Sequence, residues 1–375
     1  MNRAQSTNLL LSASFAVLAG CSSVTTMFST PGVHPAERPL RVAGTSLFDW
    51  KGVVHCHSHL SHDCEGTIEE ISAACDEADM DFVVMTDHQT DESIREGVRG
   101  FVGNTLFVLG AEVRSPQGTL LAFPLTKPLR HWQHPGLLAK EALAQGGLAF
   151  VCHAELWKIG WNVPGLAGAE IVNLHAGAMT EGYLGTLGTV VFLPLRSLFE
   201  RLCLRDSRVL DAWDNHLQRQ HPFTPIGGND AHANLRVYGA LGGTIGTYRE
   251  VFLTLSTHVL AERLDEPSLV EAFRLGRTYV SFDVFGEGAG FDFRAEDRGV
   301  VSIGGATVAA SPALRLAVRT PQAGHIVLLR DGKPIREVDG DSLELTSPPP
   351  GIYRTEVSTS GGQPWLFSST IRVLP

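Results

Sequence analysis

Between residues 50 and 285 the apolar positions fall into short runs separated by stretches of helical period. Gly52-Val53-Val54, Phe82-Val83-Val84-Met85, Leu106 to Leu109 and Leu148-Ala149-Phe150-Val151 are continuous apolar runs, the pattern of strands covered on both faces. Ile68 to Ala78 and Leu137 to Ala144 carry helical spacing, and Thr67-Ile68-Glu69-Glu70 has the form of a capping box that opens a helix. Arg196 to Gln220 predicts one longer helix before a strand near Thr224-Pro225-Ile226. Strand–helix alternation of this kind predicts an α/β fold with a parallel sheet, open or closed into a barrel. From about residue 295 the period shortens: Ala313 to Val318 and Ile326 to Arg330 alternate, Asp331-Gly332 signals a hairpin, and Pro348-Pro349-Pro350-Gly351 breaks the chain before Ile352 to Val357. The expected organisation is a leader over 1–21, a Ser/Thr/Pro/Gly-rich tether over 22–49, a catalytic-type domain over 50–290 and a small β-sandwich over 291–375.

Composition adds limits. The chain has 375 residues, 43% hydrophobic and 19% charged, which suits a packed globular protein and excludes a disordered one. Net charge is −10 and no basic block occurs, which argues against a nucleic-acid partner. The apolar run Leu9 to Gly20 is too short to span a bilayer and reads as a secretory signal. The cysteine spacing suggests no disulfide framework. Cys56 and Cys152 each precede a histidine, and strand alternation would turn them to the opposite face as buried structural residues.

The chemistry-bearing residues stand just beyond the apolar runs. Val53-Val54 leads into His55-Cys56-His57-Ser58-His59-Leu60-Ser61-His62-Asp63, and His55 and His57, two apart on a strand, can reach one cation. Thr86-Asp87-His88, Gly110-Ala111-Glu112, Cys152-His153 and Asn229-Asp230-Ala231-His232 follow at later strand ends. An α/β barrel places its reactive side chains at such strand ends. Carboxylates mixed with imidazoles suit Zn, Mn or Fe. No GxSxG elbow, P-loop or dinucleotide fingerprint competes, so metal-assisted hydrolysis of a small molecule is the expected chemistry.

The pieces HCHSHLSHD, MTDH, GAE, CHAE and NDAH, in that order, resemble the motifs of the PHP (polymerase and histidinol phosphatase) superfamily over about residues 50–285. The tail segments LLRDGKPI, GIYRTEV and PWLFSSTIRV are similar to the β-domain of its bacterial carbaryl hydrolase-like branch. The resemblance implies a distorted (β/α)7 barrel holding two or three divalent ions. By motif, His55, His57, Glu112 and Asp230 would bind a first ion, and Glu112 would bridge to a second held by His153. His88, His232 and either Asp63 or His62 would bind a third. Family members often carry a histidine after the glycine that follows the Glu motif; here Gly118 is followed by Thr119, which weakens the expected second position. His59 matches no ligand position.

Asp230 and His175 are the candidate catalytic residues, His175 as a substrate contact or general acid or, equally, a core histidine. Lys158 and Arg236 are candidates for an anionic substrate group, with plain surface positions as their default. The resemblance implies a phosphoesterase. A carboxylic or carbamate ester hydrolase and a non-catalytic metal-binding lipoprotein are the alternatives. Leu18-Ala19-Gly20-Cys21 resembles the bacterial lipoprotein box, with Cys21 as the acylated residue, and Ser22 after it resembles an outer-membrane sorting signal. That implies a protein tethered in the cell envelope by lipid, facing the periplasm, with its protein partners unspecified.

Overall fold

The computed structural model describes residues 40–158, 160–174, 195–232, 235–237 and 243–375. Its strands are, in order, β1 (Leu40–Arg41), β2 (Phe48–Cys56), β3 (Phe82–Met85), β4 (Gly100–Val102), β5 (Thr105–Leu109), β6 (Ala111–Arg114), β7 (Thr119–Phe123), β8 (Leu148–Cys152), β9 (Leu166–Asn173), β10 (Thr224–Ala231), β11 (Leu235–Val237), β12 (Gly243–Ile245), β13 (Ser256–Ala261) and β14 (Thr278–Ser281). The C-terminal strands are β15 (Asp292–Asp297), β16 (Val300–Ile303), β17 (Thr307–Ala309), β18 (Arg315–Arg330), β19 (Lys333–Thr346), β20 (Gly351–Ser358), β21 (Pro364–Ser368) and β22 (Ile371–Leu374). The helices are α1 (Ile68–Glu77), α2 (Asp91–Glu96), α3 (Pro135–Ala144), α4 (Leu195–Leu202), α5 (Ser207–Leu217), α6 (Tyr248–Phe252) and α7 (Glu266–Arg274).

The fold is mixed α/β around a large sheet. β5, β3, β2, β10, β9 and β8 pair in that order and all run parallel, which places their C-terminal ends along one edge. β7 joins β8 antiparallel and β6 joins β7 antiparallel. β5 and β6 are consecutive in the chain across Gly110, so the two ends of this path are neighbours in sequence. A Cβ on Gly110 would lie 2.4 Å from the Ala122 carbonyl oxygen, so only glycine lets the chain pass there. Val53, Val83, Val151 and Ala169 point into one core, while Val54, Val84, Leu121 and Phe150 pack into another beneath α7. This two-sided burial is why these strands read as unbroken apolar runs.

The capping box opens α1: the Thr67 side chain accepts from the Glu70 N–H and Glu70 accepts from the Thr67 N–H. Asp331 and Gly332, both at positive φ (52° and 75°), turn the β18–β19 hairpin as their sequence signals. Two elements differ from the sequence expectation. The stretch 196–220 is two helices, because Asp206 caps α5 by accepting from the Arg208 N–H and so restarts the helix. The last part of the expected tether is structured: β1 pairs with β2, and Asp49 is buried, accepting from Tyr279 Oη at 2.6 Å and meeting His258 Nδ1 at 2.8 Å.

Hydrogen bonding continues from β2 through β13 and β14 to β21, so the C-terminal strands share one bonded network with the rest. β18 pairs with β15, β19 and β20 over a third core containing Leu316, Ile326, Tyr353 and Trp365. A buried ion pair ties this region to α5. Arg354, 3% exposed, makes bonds of 2.7 Å to both oxygens of Asp214 and stacks over the Trp213 ring.

Removing that guanidinium leaves the largely buried Asp214 carboxylate without its partner. Arg354→Leu is expected to destabilise the fold by about 3–5 kcal/mol, read as a lower urea midpoint at an unchanged slope.

Candidate metal centre

The parallel strand ends carry the expected residues to one place. His55 and His57 leave β2, His88 follows β3, Glu112 is on β6, His153 follows β8, and Asp230 and His232 leave β10. Regular strand alternation does not produce this convergence. His55 (φ 71°), His153 (φ 49°) and Asp230 (φ 50°) all adopt left-handed backbone, and β2 and β10 show register shifts at these residues. Non-glycine residues in that region are costly and persist where surrounding structure enforces them.

Four ligand atoms form a compact cage. His55 Nε2 and His57 Nε2 are 3.0 Å apart. Asp230 Oδ1 is 3.2 Å from the first and 3.4 Å from the second, and Glu112 Oε2 is 3.5 and 3.4 Å from them. A tetrahedral ion with bonds of about 2.0–2.1 Å sets its ligand atoms about 3.3 Å apart, so these spacings fit one cation. The donor chemistry agrees. His55 Nδ1 lies 2.6 Å from Glu170 Oε1 and His57 Nδ1 lies 2.9 Å from Ser61 Oγ, so protons on both Nδ1 atoms leave two Nε2 lone pairs facing each other. A shared cation relieves that repulsion.

The other carboxylate oxygens face a second imidazole. His153 Nε2 is 3.6 Å from both Glu112 Oε1 and Asp230 Oδ2. A third group lies towards solvent, where Asp63 Oδ2 is 3.0 Å from His88 Nε2 and 3.6 Å from His232 Nε2. Asp63 is the residue facing this pair, while the His62 side chain is 67% exposed. His59 is exposed as well. Three overlapping sets of His, Asp, Glu and Cys atoms thus lie within 4.8 Å of one another and could hold divalent metal.

Burial opposes charge at Asp230, Glu112, His55 and His153, but at these four their mutual field outweighs it. The surrounding imidazoles hold the Asp230 and Glu112 carboxyls well below the usual carboxylate range. Asp230 and Glu170 raise His55 well above the usual imidazole value, and Glu112 and Glu170 push His153 up to about 9. His57 moves down, since burial and the neighbouring His55 and His232 disfavour its charge. The site is thus built for positive charge at its centre, carried by protons or by ions.

Sequence reasoning missed two residues. Glu170, fully buried on β9, bonds His55 and also accepts from the His153 N–H at 2.7 Å and from Asn173 Nδ2 at 3.1 Å. A lone carboxylate inside the apolar run Leu166–Val172 was the available signal, because such a charge is rarely buried without partners. A Cβ on Gly228 would sit 2.1 Å from Glu170 Oε1, which explains that glycine. Cys152 corrects the alternation argument: its Sγ lies 3.9 Å from His55 Nδ1 and 4.0 Å from Glu112 Oε1, on the site side, because the chain turns left-handed immediately after it. Cys56 does pack into the core.

Among the anion-binding candidates, Lys158 is exposed, with its N–H on the Gln117 carbonyl at 3.0 Å. Arg236 is on β11 opposite Thr244. His175 and Cys21 lie outside the described residues.

Fold and site together define a mixed α/β protein with an imidazole–carboxylate cluster that could hold divalent metal. No protein-family model matches the chain. No curated protein matches it. Among solved structures it is similar to a two-domain protein "containing predicted PHP-like metal-dependent phosphoesterase" from Bacteroides vulgatus ATCC 8482, at 15% identity and TM-score 0.42 over 89% of this chain and 97% of that one. It is also similar to a protein described as a metal-dependent phosphoesterase from Bifidobacterium adolescentis ATCC 15703 (13% identity, TM-score 0.31, 53% and 94% covered). A third is an amidohydrolase from Chromobacterium violaceum with bound sulfate and no metal (12%, TM-score 0.29, 48% and 87% covered). At these values the functional reading stands on the chain's own residues.

Glu170→Gln keeps the shape but removes the charge that orients His55. Metal retained after dialysis against a graded chelator is expected to fall about 10- to 100-fold in affinity, measured by elemental analysis. Unchanged retention would mean that Glu170 serves packing alone.

Proposed function

We propose that this chain is a metal-dependent phosphoesterase that hydrolyses a small phosphorylated molecule in the cell envelope. The observation that carries the reading is the cage of His55, His57, Glu112 and Asp230 atoms at spacings of 3.0–3.5 Å, continued by His153 on one side and by Asp63, His88 and His232 on the other. Divalent ions bound there would acidify water towards neutral pH and offset charge gathering on the ester oxygens.

The protein's own groups set the conditions for that chemistry. Glu112 and Asp230 each turn one oxygen to the His55–His57 pair and the other to His153, so each could ligate on both sides. Glu170 keeps the His55 proton on Nδ1 and its lone pair on Nε2. Ser61 accepts from the His88 backbone N–H at 2.8 Å and meets His57 Nδ1, which ties the His57 ring to the His88 backbone. Tyr248 Oη donates to the His57 carbonyl at 2.7 Å and closes the site from below. The Asp63 group is the more exposed one and faces the side from which substrate enters. His175, just beyond β9, is proposed as the proton donor to the leaving group, and Lys158 and Arg236 as outer contacts for its charge.

The finer assignments belong to the same proposal. They comprise a distorted (β/α)7 barrel for the β2–β10 strands, a sandwich after residue 291 like that of the carbaryl hydrolase-like branch, and a lipid on Cys21 that holds the protein in the outer membrane.

Protein lacking residues 1–21, supplied with Mn or Zn, is expected to hydrolyse p-nitrophenyl phosphate. His55→Ala and Asp230→Ala are expected to lower the rate by more than about 100-fold along with metal content. Turnover of p-nitrophenyl acetate alone would replace this reading with a carboxylic ester hydrolase. In cells, palmitate label is expected on the full chain and absent from Cys21→Ala.

A further inference from the structure

The strand that supplies Glu112 carries a second charged residue. Arg114 lies two positions further along β6, and strand alternation puts both side chains on one face, with Val113 between them turned into the core. Arg114 therefore stands above the cluster at its open end. It is exposed, and among the described residues no carboxylate pairs with it. The free edge of the same strand receives two N–H groups in succession: Gln89, next to His88, donates to the Glu112 carbonyl at 3.2 Å, and Trp132 donates to the Arg114 carbonyl at 3.3 Å. The Trp132 backbone is thus held beside Arg114, on the same strand edge that holds Gln89.

Trp132 is anomalous in two respects. It is 63% exposed and it adopts φ 58°, a left-handed conformation that a bulky side chain avoids. Burial does not repay that strain, since most of the indole faces water. Strain held at an exposed aromatic next to a reactive cluster fits a ligand contact. The segment leading to it is held rigidly: Gln89 Nε2 donates to the Leu129 carbonyl at 2.6 Å, and the Leu129 N–H donates back to Gln89 Oε1 at 2.8 Å.

We propose that Arg114 and Trp132 form the substrate subsite on the rim of the centre. Arg114 takes an oxygen of an anionic ester, and Trp132 stacks on a flat, apolar group that the ester carries. The substrate class is then an aryl or similarly planar phosphoester. This deepens the phosphoesterase reading and rests on it, but its test is made by binding.

Isothermal calorimetry on the Mn-loaded protein would use two non-hydrolysable probes, phenylphosphonate and methylphosphonate. Arg114→Gln is expected to weaken both by about 10- to 100-fold, with partial recovery in Arg114→Lys. Trp132→Ala is expected to weaken phenylphosphonate about tenfold and to leave methylphosphonate unchanged. Metal content by elemental analysis is expected to match the parent protein in all three variants. Equal affinities for parent and Arg114→Gln, equal loss of both probes in Trp132→Ala, or no binding of either probe would overturn the proposal. Arg114-dependent binding without turnover of any phosphate ester would instead overturn the phosphoesterase reading and leave the anionic subsite standing.

Discussion

The Glu170–His55 bond, 2.6 Å long and fully buried, is the constraint on which the rest of the centre depends. A carboxylate in the interior is costly unless its charge is met, and Glu170 meets it with one imidazole, one backbone N–H and one amide. In satisfying itself it fixes the tautomer of His55 and the position of His153. Those two residues lie on different strands, β2 and the end of β8, so one carboxylate sets the spacing of two walls of the site. Gly228 on β10 leaves the room for it. The consequence for function is geometric: Nε2 of His55 faces inward, toward His57 Nε2, Asp230 Oδ1 and Glu112 Oε2.

The left-handed residues at the strand ends act in the same direction. His55, His153 and Asp230 each leave regular strand geometry where their side chains turn toward the cluster. The strands behind them are packed on both faces by valine, leucine and phenylalanine, and that burial supplies the free energy to hold strained ends. The rigid layer and the strained rim are therefore one design, in which a stable sheet carries an edge that would not adopt this shape alone.

The region after residue 291 connects to this layer by strand pairing and by charge. β14 pairs with β21, and Arg354 reaches Asp214 across the junction. Further back along β2 from the imidazole–carboxylate cluster, Lys51 lies 3.0 Å from Asp283 and 3.1 Å from Glu287 in a second buried polar group. There the cation is already supplied by the protein, whereas the His55 cluster gathers carboxylates and imidazoles and, among the described residues, no lysine or arginine pairs with its carboxylates. That contrast in counter-charge separates a structural ion pair from a cluster suited to bind ions.

Local signals were legible in the sequence. Continuous apolar runs marked the buried strands, Thr67 and Glu70 marked the start of α1, Asp331-Gly332 marked the hairpin, and histidines and acids directly after apolar runs marked the candidate ligands. Each depends on interactions among residues a few positions apart. The sequence marked Glu170 only as a lone carboxylate in an apolar run and could not reveal its partners, which lie 115 and 17 residues away along the chain, nor Cys152 facing the site, because the reversal of alternation comes from backbone strain. Asp63 and His62 were indistinguishable until the fold set His88 and His232 opposite one of them. Residue type and short-range order thus determined which groups were available for chemistry. Only tertiary packing decided which atoms face one another, since that depends on strands brought together from distant parts of the chain and on the strain their packing can hold.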